Sequence, residues 1–411
     1  MSDRRSDASP GTRPSARVAI LYPADPAGVI PGGIDTFIRG ILRWTPADIR
    51  VDLVGVSTDP VARPPGRWTA VSCGRSSYRF YPVAMLPDPS RRGRVPLSVR
   101  FMLGLLRYRP RLEVDILEFH RLEPLLLYLR DGRPKTAVVH QNMQILRDKD
   151  ADIRWKHLPA LYFALQDLMV PRLSNLFTVR EDAAAWYRER YPAHADKVHF
   201  MPTWVDPEVF WEPNEATRAQ RAAGLRRIFG FPEAARVLIS VGRLDTQKDP
   251  LLLLRAFAAL TADDPTLCLV YVGDGVLRPA LKTAIAETGL GDRVVLAGLR
   301  PQLEIASLLQ GADLFTLSSA YEGMPMCVLE ALGSGLPVAA TAVGEVPRVV
   351  QPGINGALAA ERTPEALATA IRAVLRDTSA LRGAPCTAVA AQFSPAEMLK
   401  PAFANWRRLA A

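Results

Sequence analysis

SSAYEGMPMCVLEALGSGLPVAAT, residues 318–341, reads as the turn from a buried strand into a helix and on to the next strand. The apolar segment DLFTLSS leads into it, and PVAAT closes it as a second short strand. Pro325 suits the first helical position, where its missing N–H costs nothing. Residues 326–332 are good helix formers, and Gly333 and Gly335 supply the stop. Glu322 therefore belongs to the strand-to-helix loop, and Glu330 lies more than a turn inside the helix. At about 1.5 Å rise per residue the two are separated by roughly 8–10 Å along that axis. Two carboxylates at that offset suit a long polyhydroxyl ligand touched at two places. Between them lie the amides of Gly323 and Met324, where a phosphate finds N–H donors and the positive end of a helix dipole. A sugar, a diphosphate and a ribose in line satisfy all three elements. A loop glutamate followed by an ordinary helical one has the same spacing, so the rest of the chain must decide.

Outward from this stretch, short apolar runs alternate with amphipathic ones in two series. The first begins with RVAILYP (17–23) and a loop, ADPAGVIPGGIDT, that enters the helix FIRGILRW. It continues through VDLVGVS, RVPLSVRFMLGLLRYRPR (94–111), VDILEFH, a leucine-rich segment read as a helix, and KTAVVHQ. The second runs from residue 236: RVLISVGRL, a helix from Pro250, LCLVYVGDG, a helix over 277–287, VVLAGL, a helix from Pro301, then the opening stretch and a long helix over 364–376. Such alternation is the signature of doubly wound parallel sheets. The 411 residues are enough for two domains. Residues 202–233, with four prolines and mixed polar residues, read as the link. The fold class is therefore α/β, with two Rossmann-like doubly wound domains facing across a cleft. In open parallel sheets ligands bind beyond the carboxyl ends of the strands, which is where the informative loops fall.

In SVGRLDTQKDP (240–250), Arg243 and Lys248 follow a buried strand and precede a helix. Two cations so placed clamp a diphosphate, arginine by planar paired bonds and lysine as a point charge; a polar surface loop has the same composition. Gly32 and Gly33 allow a sharp turn into the first helix and close approach of a ligand to the backbone, or serve a plain turn. His120 and His140 each end a strand and are expected to face the cleft, as sugar-hydroxyl partners or as structural hydrogen bonders. DKDAD (148–152) offers a DxD pair of the kind that holds a divalent metal, yet its alternation with lysine and alanine favours a solvated helix start, so no metal site is expected. The GDG at 273–275 lacks the remaining glycine spacing of a dinucleotide fingerprint and excludes an NAD site.

Apolar content of 48% with 23% charged residues fits a globular chain, not a disordered one. No apolar run reaches the eighteen or so residues of a membrane span, and residues 1–16 are polar with no signal-like apolar segment. The four cysteines form no CxxC pair and no metal-ligand spacing, and two fall in apolar runs as expected of reduced core cysteines, which favours a reducing compartment. The expected location is cytoplasmic. Residues 1–212 hold 31 Lys and Arg against 24 Asp and Glu, whereas the remainder is nearly balanced at 20 against 18. A basic first half points to an anionic partner such as a lipid surface or lipid diphosphate, or else serves solubility alone. No nucleic-acid motif accompanies it, so nucleic acid is not an expected partner. Residues 94–111, apolar with interspersed arginines, suit either a crossover helix with a basic rim or a helix lying on an anionic membrane.

Taken together, GRL-x3-K, VGDG, the VVLAG strand, S-x2-YEG-x-P-x4-EALGSGLPVAAT and a terminal G-x-NG resemble the retaining glycosyltransferases of family four, which have the GT-B fold. The resemblance is densest over 237–358 and extends through PGGIDT, His140 and TWVDPEVF into the first half. It implies four segments: a polar N-terminus (1–16), an acceptor-side domain (17–210), a nucleotide-sugar domain (211–392) and a C-terminal helix returning to the first domain (393–411). It also implies site roles. Arg243 and Lys248 bind the donor diphosphate, Glu330 the ribose and Glu322 the transferred sugar. Gly323 and Met324 add backbone bonds, His140 meets the sugar near its C6 hydroxyl, and Gly33 lies against the diphosphate. The implied activity is metal-independent and cofactor-free transfer of a hexose, with retention, from a GDP-mannose or UDP-glucose type donor. The implied acceptor is a lipid-linked saccharide of a bacterial surface polysaccharide, met in the cytoplasm or at the inner face of the membrane. A non-catalytic nucleotide-binding or scaffold protein of the same fold is the alternative. Three departures stand out: Trp204 where the family commonly has glycine, Gly344-Glu345-Val346-Pro347-Arg348 in place of a GG-x-P-E pattern, and Asp35 in place of glutamate.

Overall fold

The computed structural model describes residues 14–28, 33–73, 76–86, 95–140 and 159–411. The DKDAD segment and Gly32 lie outside them. Two sheets carry the chain. The first contains β1 (Ala16–Leu21), β2 (Ile49–Ser57), β3 (Thr69–Cys73), β4 (Ser76–Met85), β5 (Ile116–Phe119), β6 (Lys135–Val139), β7 (Asn175–Thr178) and β8 (Val198–Phe200), in the order β3-β4-β2-β1-β5-β6-β7-β8. It is parallel except for β3, which pairs antiparallel with β4 as an edge hairpin that the strand–helix alternation did not announce. The second contains β9 (Arg236–Val241), β10 (Leu267–Val272), β11 (Val294–Gly298), β12 (Leu314–Leu317), β13 (Val338–Thr341) and β14 (Gly356–Ala359), in the order β11-β10-β9-β12-β13-β14 and wholly parallel. The central strands are continuous apolar runs because helices cover both faces.

Two segments differ from the sequence reading. The leucine-rich stretch after β5 forms only a 3₁₀ helix, Glu123–Tyr128, with Pro124 in its first turn. The stretch read as a link holds a fifteen-residue helix, Glu215–Phe229. Its four prolines all lie outside that helix, and its ends are well made. Asn214 caps the start by accepting from the Thr217 amide at 2.8 Å, and Gly230 at φ 72° closes the end. Gly311 lets the neighbouring helix Gln302–Gly311 press against it: a Cβ there would stand 2.7 Å from the Arg221 carbonyl.

The core changes hands between adjacent residues. Trp204 is buried with Phe37, Ile41 and Leu42 under the first sheet, while Val205, Val209 and Phe210 pack with the second. The chain crosses again near its end: Phe393 belongs to the second core, and Leu399, Phe403 and Trp406 to the first. The two crossings are joined by a hydrogen bond from the Val205 amide to the Phe393 carbonyl, 3.0 Å. Trp204 fills space that Gly40 leaves open, since a Cβ on Gly40 would lie 2.5 Å from the indole nitrogen. Phe37 completes the contact, with ring centroids 4.2 Å apart. The glycine-to-tryptophan departure is therefore a packing feature of this chain, matched by a glycine on the helix opposite.

Candidate active site

In both sheets the strand order reverses beside the first strand, between β1 and β5 and between β9 and β12. Crevices form at such switch points because the connections on either side leave in opposite directions. The loops after β9 and β12 meet there and are stitched together. Ser318 donates to the Lys248 and Asp249 carbonyls at 2.8 and 2.9 Å, and the Ala320 amide to the Gln247 carbonyl at 2.7 Å. The glycines of GDG serve this packing: a Cβ on Gly273 would stand 1.9 Å from the Gly242 carbonyl oxygen, and one on Gly275 2.4 Å from that of Leu244.

The Met326–Gly333 helix begins one residue later than expected, with Pro325 at its N-cap, and ends at Ser334 with Gly335 at φ 70°. Glu322 and Glu330 are both buried, at 5% and 7% exposure, which removes the reading of a solvated loop glutamate. The Glu322 Oε1 accepts from Lys248 Nζ at 2.5 Å and from Ser319 Oγ at 2.6 Å. Burial works against the Lys248 charge, but the Glu322 carboxylate overrides it and holds the ammonium well above its ordinary pKa. Among the described residues Glu330 has no such cation in contact, and burial raises its pKa to about 7, tempered by a hydrogen bond from Gln302 and by the field of Lys248. Arg243 is half-exposed and is held by Asp245 at 2.8 Å and Gln247 at 2.9 Å. Gly344, at φ 56°, backs the loop: a Cβ there would stand 2.2 Å from the Glu322 carbonyl oxygen, and the Glu345 amide donates to the Gly323 carbonyl at 3.1 Å.

The first sheet supplies the facing wall. Gly33 opens the Gly33–Trp44 helix with free space beside it, and Asp35 follows one position on from Ile34. His140 follows β6, its ring edge-on to Phe37 at 4.8 Å. Burial and the adjacent His120 keep its pKa well below the ordinary imidazole value. Across the divide, Thr203 Oγ1 donates to the Met324 carbonyl at 3.2 Å, and the Glu181 amide to Glu345 at 3.3 Å. One cavity of about 420 Å³ results, and Gly33, His140, Arg243, Lys248, Glu322, Gly323, Met324 and Glu330 all line it. His120, which was expected to face the cleft, does not line it: it follows β5 directly and stands behind His140, its Nδ1 3.0 Å from His140 Nε2. Asp35 and Gln302 do line it; Asp35 stood out in the sequence only as a departure from the family's glutamate, and Gln302 not at all. Asp35 is 4% exposed, pairs through one oxygen with Arg39 at 2.7 Å, and has no partner for the other among the described residues; burial lifts its pKa to about 6. Only an i,i+4 Asp–Arg spacing hinted at this arrangement.

The fold and this two-walled site define a GT-B protein. Comparison with known proteins gives the family: the model for glycosyl transferases group 1 matches residues 223–384, and that for Glycosyltransferase Family 4 matches residues 31–209. The chain belongs to glycosyltransferase family four. It is 33% identical over 271 residues to a D-inositol 3-phosphate glycosyltransferase of Thermobispora bispora, covering 63% of this chain and 61% of that one. It spans about half the length of other such relatives. Among solved structures it superposes on sucrose-phosphate synthase from Thermosynechococcus elongatus with a TM-score of 0.75 at 19% identity, covering 96% of this chain and 99% of that one. Anabaena HepE in complex with UDP and glucose gives 0.70 at 18% identity, covering 94% and 98%. These likenesses extend over nearly the whole chain and establish the fold.

Proposed function

We propose that this protein transfers a hexose from a nucleotide sugar to a saccharide acceptor, with retention at the anomeric carbon and without a metal ion. The observation that carries the reading is the convergence of Arg243, Lys248, Glu322 and Glu330 from one domain and Gly33 and His140 from the other on a single cavity. Arg243 and Lys248 supply the positive charge a leaving diphosphate needs, and the amides of Gly323 and Met324 add donors. Glu330 accepts from the ribose hydroxyls, while Glu322, fixed by Lys248 and Ser319, accepts from hydroxyls of the sugar. As the anomeric carbon–oxygen bond to the diphosphate breaks, the acceptor oxygen bonds to the same face. Its proton passes to the departing phosphate oxygen, so no separate general base is required. Two solved structures of HepE hold UDP with glucose and UDP-glucose, which supports a uridine donor over GDP-mannose for this chain.

The acceptor we infer is lipid-linked and is met at an anionic membrane surface. In the Leu97–Tyr108 helix, Phe101, Gly104 and Leu105 face the core, so it is a crossover helix. Its other side leaves Val99, Leu103 and Leu106 at 44%, 58% and 48% exposure, spaced i, i+4, i+7 and followed by exposed Arg107, Arg109 and Arg111. An apolar stripe with a cationic border suits the interface of an anionic bilayer. Among the described residues no helix is long and apolar enough to cross a membrane. The test is sugar transfer from UDP- and GDP-sugars to a panel of lipid-linked acceptors, with Glu322→Gln and Lys248→Ala as controls. Turnover undiminished in both variants would overturn the assignment, and nucleotide binding without turnover on any acceptor would favour a scaffold protein.

A further inference from the structure

Behind His140 runs a continuous polar chain through the core of the first domain. Trp406, on the helix Lys400–Ala410, donates its indole N–H to Glu118 Oε2 at 2.7 Å, and Thr136 donates to the same oxygen at 3.0 Å. The other oxygen, Oε1, lies 3.2 Å from His120 Nε2. His120 Nδ1 lies 3.0 Å from His140 Nε2. Glu118, His120, Thr136 and Trp406 are each at most 2% exposed. The imidazoles are stacked, with centroids 5.3 Å apart, and Phe37 packs edge-on against both, so neither ring can turn over freely.

We propose that Glu118 and His120 are positioning residues that fix the tautomer of His140, so that it presents a hydrogen-bond acceptor, Nδ1, to the cavity. Glu118 Oε2 is occupied by two donors, and among the described residues Oε1 has one hydrogen-bonding neighbour, His120 Nε2. A carboxylate only accepts, so that nitrogen carries a proton. With that proton on Nε2, the neutral form of His120 keeps its lone pair on Nδ1. The 3.0 Å contact is then filled by the Nε2 proton of His140, and His140 Nδ1 keeps a lone pair for a ligand. Burial keeps His140 neutral, so it carries one N–H and one lone pair rather than two N–H groups. A ligand hydroxyl must donate to it, and replacing that hydroxyl with fluorine or hydrogen forfeits the bond. The use of this lone pair for a sugar hydroxyl rests on the function proposed above; the tautomer itself does not.

Glu118→Gln tests the chain because its outcome is directional. Trp406 can only donate, so the glutamine carbonyl must stay on its side and the NH₂ must face His120. His120 then carries its proton on Nδ1, His140 Nε2 becomes an acceptor, and His140 turns an N–H toward the cavity. Long-range ¹H–¹⁵N spectra of the ligand-free full chain, labelled at its five histidines and assigned with a His140→Gln variant, read this directly. The expected result is the Nε2–H form of His140 in the wild type and the Nδ1–H form in Glu118→Gln, with donor turnover lowered about tenfold or more by loss of one hydrogen bond. A merely structural Glu118 would alter stability and leave the tautomer alone. An Nδ1–H His140 in the wild type, or one tautomer shared by both proteins, overturns the proposal; if the glutamine variant does not fold, the wild-type spectrum decides. Wild-type protein that turns over no donor would refute sugar transfer while leaving the tautomer result standing.

Discussion

Replacing Lys248 with methionine removes the ammonium but keeps the length of the stem that packs along Gly242. Glu322 is then a buried carboxylate with Ser319 as its remaining partner. Removing one member of a buried ion pair destabilises by about 3–5 kcal/mol, because the other charge is left without compensation. The Lys248 side chain keeps 18% exposure, so water can reach the gap and the lower figure, about 3 kcal/mol, applies. Glu322→Gln leaves the ammonium beside a neutral carbonyl and should cost about 2 kcal/mol. The double variant has no charge left to strand. It should be about 2–3 kcal/mol more stable than the sum of the single changes predicts, the mark of direct coupling. Urea unfolding of the four proteins measures this, provided the slopes agree. Sugar transfer should fall about a hundredfold or more in all three variants, since each removes charge or geometry at the diphosphate and sugar. Stability would then return in the double variant while activity would not. Additivity within about 0.5 kcal/mol, the usual result for independent sites, would refute the claim that Lys248 and Glu322 act as a unit.

Glu330 gives a pH signature. Its pKa rises on folding to about 7, so the folded state holds an extra proton between its ordinary value and neutrality. Its stabilising effect is full in acid and is lost as pH rises to about 7, and Glu330→Gln should flatten that slope in urea titrations of the ligand-free protein. Ribose hydroxyls favour the ionised form, so UDP binding should weaken as pH falls below about 7, and this dependence should vanish in the same variant by calorimetry. Gly40→Ala should cost about 1–3 kcal/mol through its clash with Trp204, and adding Trp204→Phe should recover part of it in urea unfolding. Leu103→Gln with Leu106→Gln should lower sedimentation with anionic vesicles and leave turnover on a water-soluble acceptor unchanged; equal sedimentation would dismiss the membrane face.

Much of the site was legible because its residues are local to strand exits. Arg243, Lys248 and Glu322 each follow a buried strand in the loop after it, Glu330 sits on the helix that comes next, and Pro325, Gly333 and Gly335 mark the ends of that helix. The antiparallel hairpin of β3 and β4 left no trace in the strand–helix rhythm, and the helix Glu215–Phe229 was masked by prolines that proved to flank it. His120 was misplaced by the same rule that placed His140. A strand end fixes which loop a side chain belongs to, but whether its ring faces the cleft or another ring depends on neighbouring strands.

By itself the sequence determined the alternation of strands and helices, and with it two parallel sheets, the end of each sheet at which ligands gather, and the family to which the motifs belong. These follow from periodicity and turn chemistry, which act over a few residues. Tertiary structure alone decided what the glutamates are. The same Glu-x7-Glu spacing fits solvent or a buried site. Only the packing of the β9 loop against the β12 loop seats Lys248 on Glu322 and leaves Glu330 buried without a cation. It also decided that Trp406, 288 residues from Glu118, completes the chain of hydrogen bonds behind His140. Charge pairing and desolvation depend on distances across the fold, and no local pattern encodes them.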